Sequence, residues 1–344
     1  MRGLVRAAVY LPPGTADGHR VAGSDEDGLT LGATAVERAR ESLGETNDPI
    51  SLELLGDYPT ADEWAVPRLL GAPATIVRTP ATGRDLVAAL GRAEAGARGT
   101  AVVLAVELPE RSGVTSRPSS ATGAGAVAFW FEEGRGQALP PTVASLVPEP
   151  TAIGTAFAVY RRAAASGPAA WAGEWSAVGP SGRPVDLHRI APLVGLSTAA
   201  VSEGAYVPRP RYLESLPSRW QFVAERCGQC GGLTLPARGA CRHCGRSDDL
   251  RSVALPRDDL EVVATTVIGP GGQPTEFDPQ VGALGPYEVV LAELAPGVRV
   301  TLQVTDAEPG AVRIGDRVDT RLRRLYPMEG AWRYGRKAVP RPPP

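Results

Sequence analysis

Four cysteines in one short cluster are the residues of this chain best suited to chemistry. They repeat a Cys-x-x-Cys spacing and are Cys227, Cys230, Cys241 and Cys244. Each Cys-x-x-Cys turn directs two thiolates at one ion, and two such turns complete a tetrahedral all-sulfur zinc site. A site closed by four protein ligands leaves no position for substrate or water. The pattern therefore predicts a structural zinc ion.

Two alternatives to this zinc site stay open. A secreted protein would use the same cysteines for two disulfides, but no signal peptide is recognisable at the N-terminus. This favours a cytoplasmic protein, in which thiols stay reduced. His243 lies between two of the cysteines and is a candidate alternative ligand. With four thiolates available, the favoured interpretation of this histidine is an exposed neighbour of the site.

The composition is that of a globular protein long enough for two domains. The chain has 344 residues, of which 43% are apolar and 22% charged, and its formal net charge is -2. This charge argues against nucleic-acid binding, which requires a strongly basic surface. No apolar stretch is long enough for a membrane helix. We therefore expect neither a nucleic-acid partner nor a membrane span.

The first 150 residues alternate strand and helix patterns. Apolar runs predict strands near 4–10, 50–55, 100–107 and 123–131, and amphipathic stretches predict helices at 25–43 and 85–97. Strands separated by helices of this length predict an α/β layer with a parallel or mixed sheet. The strongly apolar run 100–107 is also a candidate contributor to an interface with another protein.

The C-terminal part contains short strands separated by turns. Strands are predicted at 260–268, 287–294, 298–305, 317–325 and 332–339. Five such strands are typical of a small OB barrel. The pattern divides the chain into an α/β domain over 1–150, a connecting segment over 151–205, a helix with the zinc ribbon over 206–255, and an all-β OB-fold barrel over 256–340.

Motifs around the cysteine cluster resemble a known family. Residues 212–217 precede the ribbon, and residues 314–318 and 334–337 follow it. In this order they are similar to the zinc-ribbon and OB-fold proteins that accompany acyl-CoA thiolases and synthases. The resemblance implies a rubredoxin-like zinc ribbon, an OB-fold barrel and a non-catalytic partner that helps to hold the CoA part of an intermediate.

The front segment resembles the N-terminal half of the 3-hydroxy-3-methylglutaryl-CoA synthase branch of the thiolase superfamily. Residues 25–43 are similar to its first helix, and the glycine-rich residues 121–128 to one of its strands. The resemblance implies a half-thiolase-like α/β domain. It also implies a catalytic cysteine, but alignment places Pro80 at that position, and proline has no nucleophile with which to form an acyl thioester.

Two further residues are candidates for catalysis. The family's acidic general base falls at Asp57, or at Gly56 after a shift of one residue. The half that supplies a catalytic histidine in the family is missing, and His188 is the single candidate to replace it. The resemblance therefore implies a degenerate domain that is retained for assembly.

Basic side chains on the last two predicted strands are candidates to bind the phosphates of a coenzyme A thioester. They are Arg321, Arg323, Arg333, Arg336 and Lys337. An anionic nucleotide requires a cluster of this kind. However, Lys337 is the only lysine among 36 basic residues, so arginine is common throughout the chain and by itself is weak evidence of phosphate binding.

These observations favour a non-catalytic scaffold subunit. It would form a hetero-oligomer with a thiolase- or ketosynthase-like protein that supplies the catalytic cysteine and acts on an acyl-CoA or a carrier-bound acyl group. That complex would form carbon–carbon bonds or transfer acyl groups. Two other classes stay open: a self-sufficient acyl-CoA acyltransferase or lyase that uses a residue other than cysteine, and a nucleic-acid-binding module built from the zinc ribbon and OB fold.

Overall fold

The structure is a computed structural model with two compact units, Met1–Ala191 and Pro192–Pro344. It describes residues 2–16, 19–23, 25–40, 43, 50–56, 74–79, 82–96, 99–108, 124–139, 146, 155–156, 158–159, 171–173, 183–184, 207–328 and 331–341. Among these residues, no helix has the length and apolar character needed to cross a membrane.

A six-stranded mixed sheet forms the centre of the first unit. Its strands are β1 (Arg2–Tyr10), β4 (Ile50–Gly56), β5 (Ala74–Thr79), β6 (Thr100–Glu107), β7 (Gly125–Glu133) and β8 (Trp171–Gly173). They lie in the order β5-β4-β6-β7-β1-β8. Strand β4 is parallel to β5 and β6, whereas β7 is antiparallel to both of its neighbours. The predicted mixed sheet is confirmed.

A second, small sheet of the first unit contains three short strands. They are β2 (Gly14–Ala16), β3 (His19–Val21) and β9 (Arg183–Pro184), in the order β3-β2-β9.

Two helices cover the six-stranded sheet. Helix α2 (Gly83–Ala95) packs through Leu86 and Leu90 into a core that also contains Val9. Helix α1 (Gly28–Arg40) contacts β1, β6 and β7. Because successive strand residues point to opposite faces, Tyr10 points away from the α2 side, and its hydroxyl donates to Glu26 just before α1 (2.5 Å). The first unit therefore has three layers, with the six-stranded sheet between α1 and α2.

The start of α1 is set by two reciprocal hydrogen bonds. The Asp27 carboxylate accepts the Thr30 N–H (3.0 Å), and the Thr30 hydroxyl accepts the Asp27 N–H (2.8 Å). These bonds satisfy donors that the first helical turn would otherwise leave free. Asp27 is therefore the capping residue of this helix.

The apolar run Thr100–Glu107 is the central strand β6. Its two edges are already hydrogen-bonded to β4 and β7, and its residues 100–106 are buried. A strand in this position offers neither a free edge nor an exposed face to another protein. The interface predicted for this run is therefore wrong, because the same apolar character that suggested it drives the strand into the middle of its own sheet.

The second unit begins with a helix and a three-stranded ribbon. Helix α3 spans Arg209–Trp220, and the ribbon strands are β10 (Val223–Cys227), β11 (Leu233–Thr234) and β12 (Leu250–Ala254). The ribbon has the order β11-β10-β12, and both pairs are antiparallel.

A five-stranded antiparallel sheet completes the second unit. Its strands are β13 (Leu260–Ile268), β14 (Tyr287–Ala295), β15 (Val298–Gln303), β16 (Arg317–Met328) and β17 (Ala331–Pro340), in the order β15-β14-β13-β16-β17. A short helix, α4 (Asp278–Leu284), lies between β13 and β14. All five predicted strands are confirmed.

The two outer strands of this sheet approach each other. Val304, which follows β15, forms a parallel bridge with Ala338 on β17, and the Thr305 N–H donates to the Ala338 carbonyl (2.9 Å). Phe222 and Ala224 from the ribbon side join the apolar core under the sheet. The ribbon and the sheet thus share one core, and a closed OB barrel stays a prediction.

Helix α3 docks on β17 through aromatic side chains. Tyr212, Leu216 and Trp220 are buried at four-residue spacing, which places them on one face of the helix. The Tyr212 hydroxyl donates to the Tyr334 carbonyl (3.0 Å) and accepts the Tyr334 N–H (2.8 Å), while the Trp220 indole N–H donates to the same carbonyl (3.0 Å). Burial raises the pKa of Tyr212 to about 12, so the hydroxyl keeps its proton at neutral pH.

We predict that Tyr212→Phe lowers the free energy of unfolding of the chain by about 1–3 kcal/mol, because the buried Tyr334 N–H loses this acceptor. Chemical denaturation measures the change. Tyr326→Phe is the matched control, since the ring of Tyr326 packs on Phe277 and its hydroxyl has no hydrogen-bond partner among the residues that the structure describes. Equal losses in the two variants would contradict the role given to the Tyr212 hydroxyl.

Candidate functional site

Two turns of the ribbon carry the four cysteines. The first turn spans residues 227–231 and the second spans residues 241–245. The Gly231 N–H donates to the carbonyl of the first cysteine of its turn (2.8 Å), and the Gly245 N–H does the same in the second turn (2.9 Å). Both glycines have positive φ, 71° and 74°, a conformation that costs glycine little and other residues more. The repeated sequence therefore folds into the same turn twice.

The four sulfur atoms form a group of the size that a zinc ion requires. All four lie within 4.8 Å of one another. Cys227 Sγ is 3.7 Å from Cys244 Sγ, and Cys230 Sγ is 3.6 Å from Cys241 Sγ. Tetrahedral zinc with Zn–S bonds of about 2.3 Å separates its sulfurs by about 3.8 Å. Each close pair joins one turn to the other, and each turn has one buried and one exposed cysteine.

Backbone donors prepare the sulfurs for a cation. The N–H groups of Cys244 and His243 lower the pKa of Cys241 to about 6 in the metal-free site. The Gly232 N–H lowers the pKa of Cys230, but the neighbouring sulfurs of Cys241 and Cys244 raise it more, to about 12. Since zinc binds thiolates, it must displace the remaining protons, and its affinity therefore falls as the pH falls.

His243 is not part of the ligand group, which consists of the four cysteines alone among the described residues. Its Nε2 lies 3.3 Å from the Leu233 carbonyl oxygen. A carbonyl oxygen can only accept, so the ring N–H is the donor. The ring is exposed. The interpretation of His243 as an exposed neighbour agrees with this position.

Hydrogen bonds attach the turns to the rest of the second unit. The Thr234 hydroxyl accepts the Arg242 N–H (3.1 Å), and the Arg242 guanidinium donates to the Gly297 carbonyl between β14 and β15 (3.3 Å). The Glu225 carboxylate accepts the Gly239 N–H (3.0 Å). The position of the second turn therefore depends on both the ribbon and the five-stranded sheet.

The five predicted CoA-binding residues lie together on β16 and β17, and we call these two strands the basic strand pair. Arg321 is opposite Lys337, and Arg323 is opposite Gly335. Four of the five side chains belong to residues that are at most 5% exposed: Arg323, Arg333, Arg336 and Lys337. Cations in this position need partners within the protein.

Several of these cations have such partners in the second unit. The Arg323 guanidinium lies 3.1 Å from the Asp306 carboxylate, and that of Arg321 lies 2.8 Å from Asp258. Arg336 donates to the Trp220 carbonyl, and the Arg333 guanidinium lies 4.8 Å from the centre of the Tyr212 ring. These contacts stabilise the docking of α3 and the loops around β16. The binding of CoA phosphates by these residues stays a prediction.

Comparisons with known proteins agree with the metal centre. Residues 221–251 match the rubredoxin-like zinc ribbon domain described for ChsH2. A DUF35 domain-containing scaffold protein of Methanothermobacter thermautotrophicus is 30% identical over 128 residues, which are 37% of this chain and 91% of the relative. This chain belongs to the DUF35 family. The relationship predicted from the motifs around the cysteines is confirmed, and so is the zinc ribbon.

Two solved structures are also similar to this DUF35 chain. One is the Ltp2-ChsH2(DUF35) aldolase, with 24% identity, a TM-score of 0.30, and coverage of 40% of this chain and 98% of the other. The second is PksG, a HMG-CoA synthase from Bacillus subtilis, with 17% identity and a TM-score of 0.31. That match covers 39% of this chain and 42% of the other.

The predicted catalytic positions of this DUF35 chain are only partly described. Asp57, Pro80 and His188 lie outside the described residues. Gly56, the alternative to Asp57, ends β4 with φ of 112°, and a Cβ there would come within 1.8 Å of the Val106 carbonyl oxygen. Position 56 therefore cannot hold an acidic side chain in this backbone.

Sequence reasoning missed Glu288, a buried carboxylate on β14. It accepts the Thr265 hydroxyl (2.6 Å) and the Gly310 N–H (3.0 Å), and so it holds the loop after β15 against the sheet. The available signal was an acidic residue inside an otherwise apolar strand, but Tyr287–Ala295 contains two, Glu288 and Glu293, and the sequence alone does not show which of them is buried. A buried carboxylate needs donors of this kind.

We predict that this DUF35 protein binds one zinc ion per chain and that its removal destabilises the second unit. In the metal-free form the exposed and buried thiols no longer hold the two turns together, and structural zinc in small ribbons contributes about 10 kcal/mol to folding. Metal analysis and thermal melting before and after treatment with a chelator measure the effect. Cys227→Ser should reproduce it, whereas an unchanged melting temperature in metal-free protein would contradict it.

Proposed function

We propose that this chain is a non-catalytic scaffold subunit that assembles with a thiolase- or ketosynthase-like enzyme. The observation that carries the proposal is the 30% identity, over 91% of the relative's length, to a protein described as a DUF35 domain-containing scaffold protein. The partner forms carbon–carbon bonds or transfers acyl groups. This chain contributes binding and orientation of the acyl substrate.

The metal centre supports a structural role for the second unit. Its four sulfurs face one another at 3.6–3.7 Å across the two turns, and zinc held by four such ligands has no open position for a reacting group. These are the only four cysteines of the sequence. With all four committed to zinc, no thiol of this chain remains to carry an acyl group. The reactive cysteine therefore comes from the partner.

The first unit has the proposed role of a degenerate half-thiolase-like domain for assembly. Support comes from the resemblance of residues 25–43 and 121–128 to the synthase branch of the thiolase superfamily, and from the mixed sheet between α1 and α2. Pro80 at the position of the reactive cysteine agrees with a domain that no longer performs the chemistry. We propose the four-part domain division of the sequence on the same grounds.

The second unit has the proposed role of holding a coenzyme A thioester. We propose that its five strands close into an OB barrel, and the bridge between Val304 and Ala338 supports this closure. Among the five predicted CoA-binding residues Arg321 is the most exposed, with 17% of its side chain accessible, and it is the proposed first contact for a CoA phosphate. The buried cations behind it make the surroundings favourable to an anion.

We predict that the isolated chain has no acyl-CoA turnover and that turnover appears when it is co-expressed with a candidate thiolase-like partner. Co-purification at a fixed stoichiometry and an acyl-CoA assay of both samples measure this. Asp57→Ala and His188→Ala are the control variants, and each should leave the activity of the complex within about twofold. Turnover by the isolated chain that disappears in either variant would establish a self-sufficient enzyme instead.

We predict that Arg321→Ala weakens the binding of CoA to the assembled complex about tenfold, since a charge-assisted hydrogen bond is worth about 1.5–3 kcal/mol. Calorimetric titration of the complex with CoA measures the affinity. Arg313→Ala is the matched control, because Arg313 is exposed on a turn outside the basic strand pair. Equal CoA affinities of the Arg321 and Arg313 variants would contradict the proposal that the basic strand pair binds CoA.

A further inference from the structure

The two cysteine turns contact each other through one peptide of the first turn and one ring of the second. The peptide is that of Gly232, directly after the first turn. Its carbonyl accepts the Cys227 N–H (3.0 Å). Gly232 thus closes the first turn by a hydrogen bond to its first cysteine, and its position helps to fix the backbone that carries the Cys227 sulfur.

The ring that contacts this peptide is His243. A Cβ built on Gly232 would lie 2.4 Å from His243 Cδ2 and 2.9 Å from Cγ, and its three nearest heavy atoms all belong to this ring. The ring therefore lies directly against the Gly232 Cα. Its Nε2–H donates to the carbonyl of the next residue, Leu233 (3.3 Å). Packing and a hydrogen bond together hold the ring on the first turn.

The backbone of His243 contacts the second turn. Its N–H lies 3.4 Å from the Cys241 sulfur and donates to it. His243 therefore contacts both turns. Its main-chain N–H donates to a zinc ligand of the second turn, and its side chain packs on the Gly232 peptide, which is hydrogen-bonded to a zinc ligand of the first turn. The exposed Arg246, directly after the second turn, uses its side chain differently and pairs with Asp248.

We propose that His243 is a positioning residue of the zinc site, which locks the first turn against the second through Gly232 and so slows the loss of zinc. It acts through the Gly232 peptide on Cys227, whose N–H donates to the Gly232 carbonyl (3.0 Å) and whose sulfur lies 3.7 Å from that of Cys244 in the second turn. Groups that orient metal ligands from outside the coordination sphere typically change metal affinity by about 10–100-fold. The inference concerns the metal centre and is independent of the proposed scaffold function.

The same contact explains why residue 232 is glycine. Its φ is not in the left-handed region, so the backbone itself accepts alanine, and the obstacle to a side chain is the His243 ring. Gly231 is the opposite case, with φ of 71° and no heavy atom within 4 Å of the place that a Cβ would occupy. The two neighbouring glycines are therefore required for different reasons.

The test is a double-mutant cycle in the full-length zinc-loaded chain. Zinc transfer to a chromophoric chelator is measured for wild type, His243→Ala, Gly232→Ala and the double variant, together with thermal melting of each. We expect about tenfold weaker zinc retention in His243→Ala and a loss in Gly232→Ala. In the double variant, Gly232→Ala should add no further loss, because the ring that it displaces is already absent.

Two further variants separate this role from general destabilisation. His243→Phe keeps a ring on Gly232 and should recover most of the zinc retention. Arg238→Ala, which removes an exposed side chain from the loop between the two turns, should retain zinc as the wild type does. The cobalt-substituted protein should keep a tetrahedral all-sulfur spectrum in His243→Ala, because the ligands are unchanged. Retention in His243→Ala within about twofold of wild type, or additive losses in the double variant, would overturn the proposal.

Discussion

The convergence of four cysteine sulfurs on one point is the constraint on which the second unit depends. The ribbon strands β10, β11 and β12 are short, and a domain of this size has little apolar area of its own to stabilise it. The sulfur group joins the two turns, while Phe222 and Ala224 connect the ribbon side to the core of the five-stranded sheet. Arg242 adds a hydrogen bond to the Gly297 carbonyl. Metal binding is therefore coupled to the position of the ribbon on the sheet.

This constraint also limits the chemistry of the chain. A thiolate that binds zinc cannot carry an acyl group, and the sequence contains no fifth cysteine. The scaffold proposal follows from this limit together with the relationship to a DUF35 scaffold protein. Some of the basic side chains of the basic strand pair are likewise committed to contacts within the fold. Arg323 and Arg336 use their guanidinium groups to fix a loop and the end of α3, so part of the positive charge that resembles a nucleotide site maintains the fold.

Glycines in this chain have several distinct physical roles. Gly231 and Gly245 allow a left-handed turn after each cysteine pair. Gly56 allows β4 to end close to the Val106 carbonyl, and Gly232 leaves room for the His243 ring. All four positions look alike in the sequence. Only the distances in the folded chain separate a glycine that is required for its φ from one that is required for the space beside it.

The sequence by itself determined the features that depend on local spacing. The two cysteine turns, the five strands of the second unit and the mixed sheet of the first follow from repeats, apolar periodicity and turn residues over a few positions. Tertiary structure decided which groups meet. The central place of β6, the burial of Arg323 and Lys337, and the contact of His243 with Gly232 depend on pairings between strands and turns far apart in the chain or on packing around them. Local patterns do not encode these contacts, because strand order and side-chain packing are set by the free energy of the whole unit.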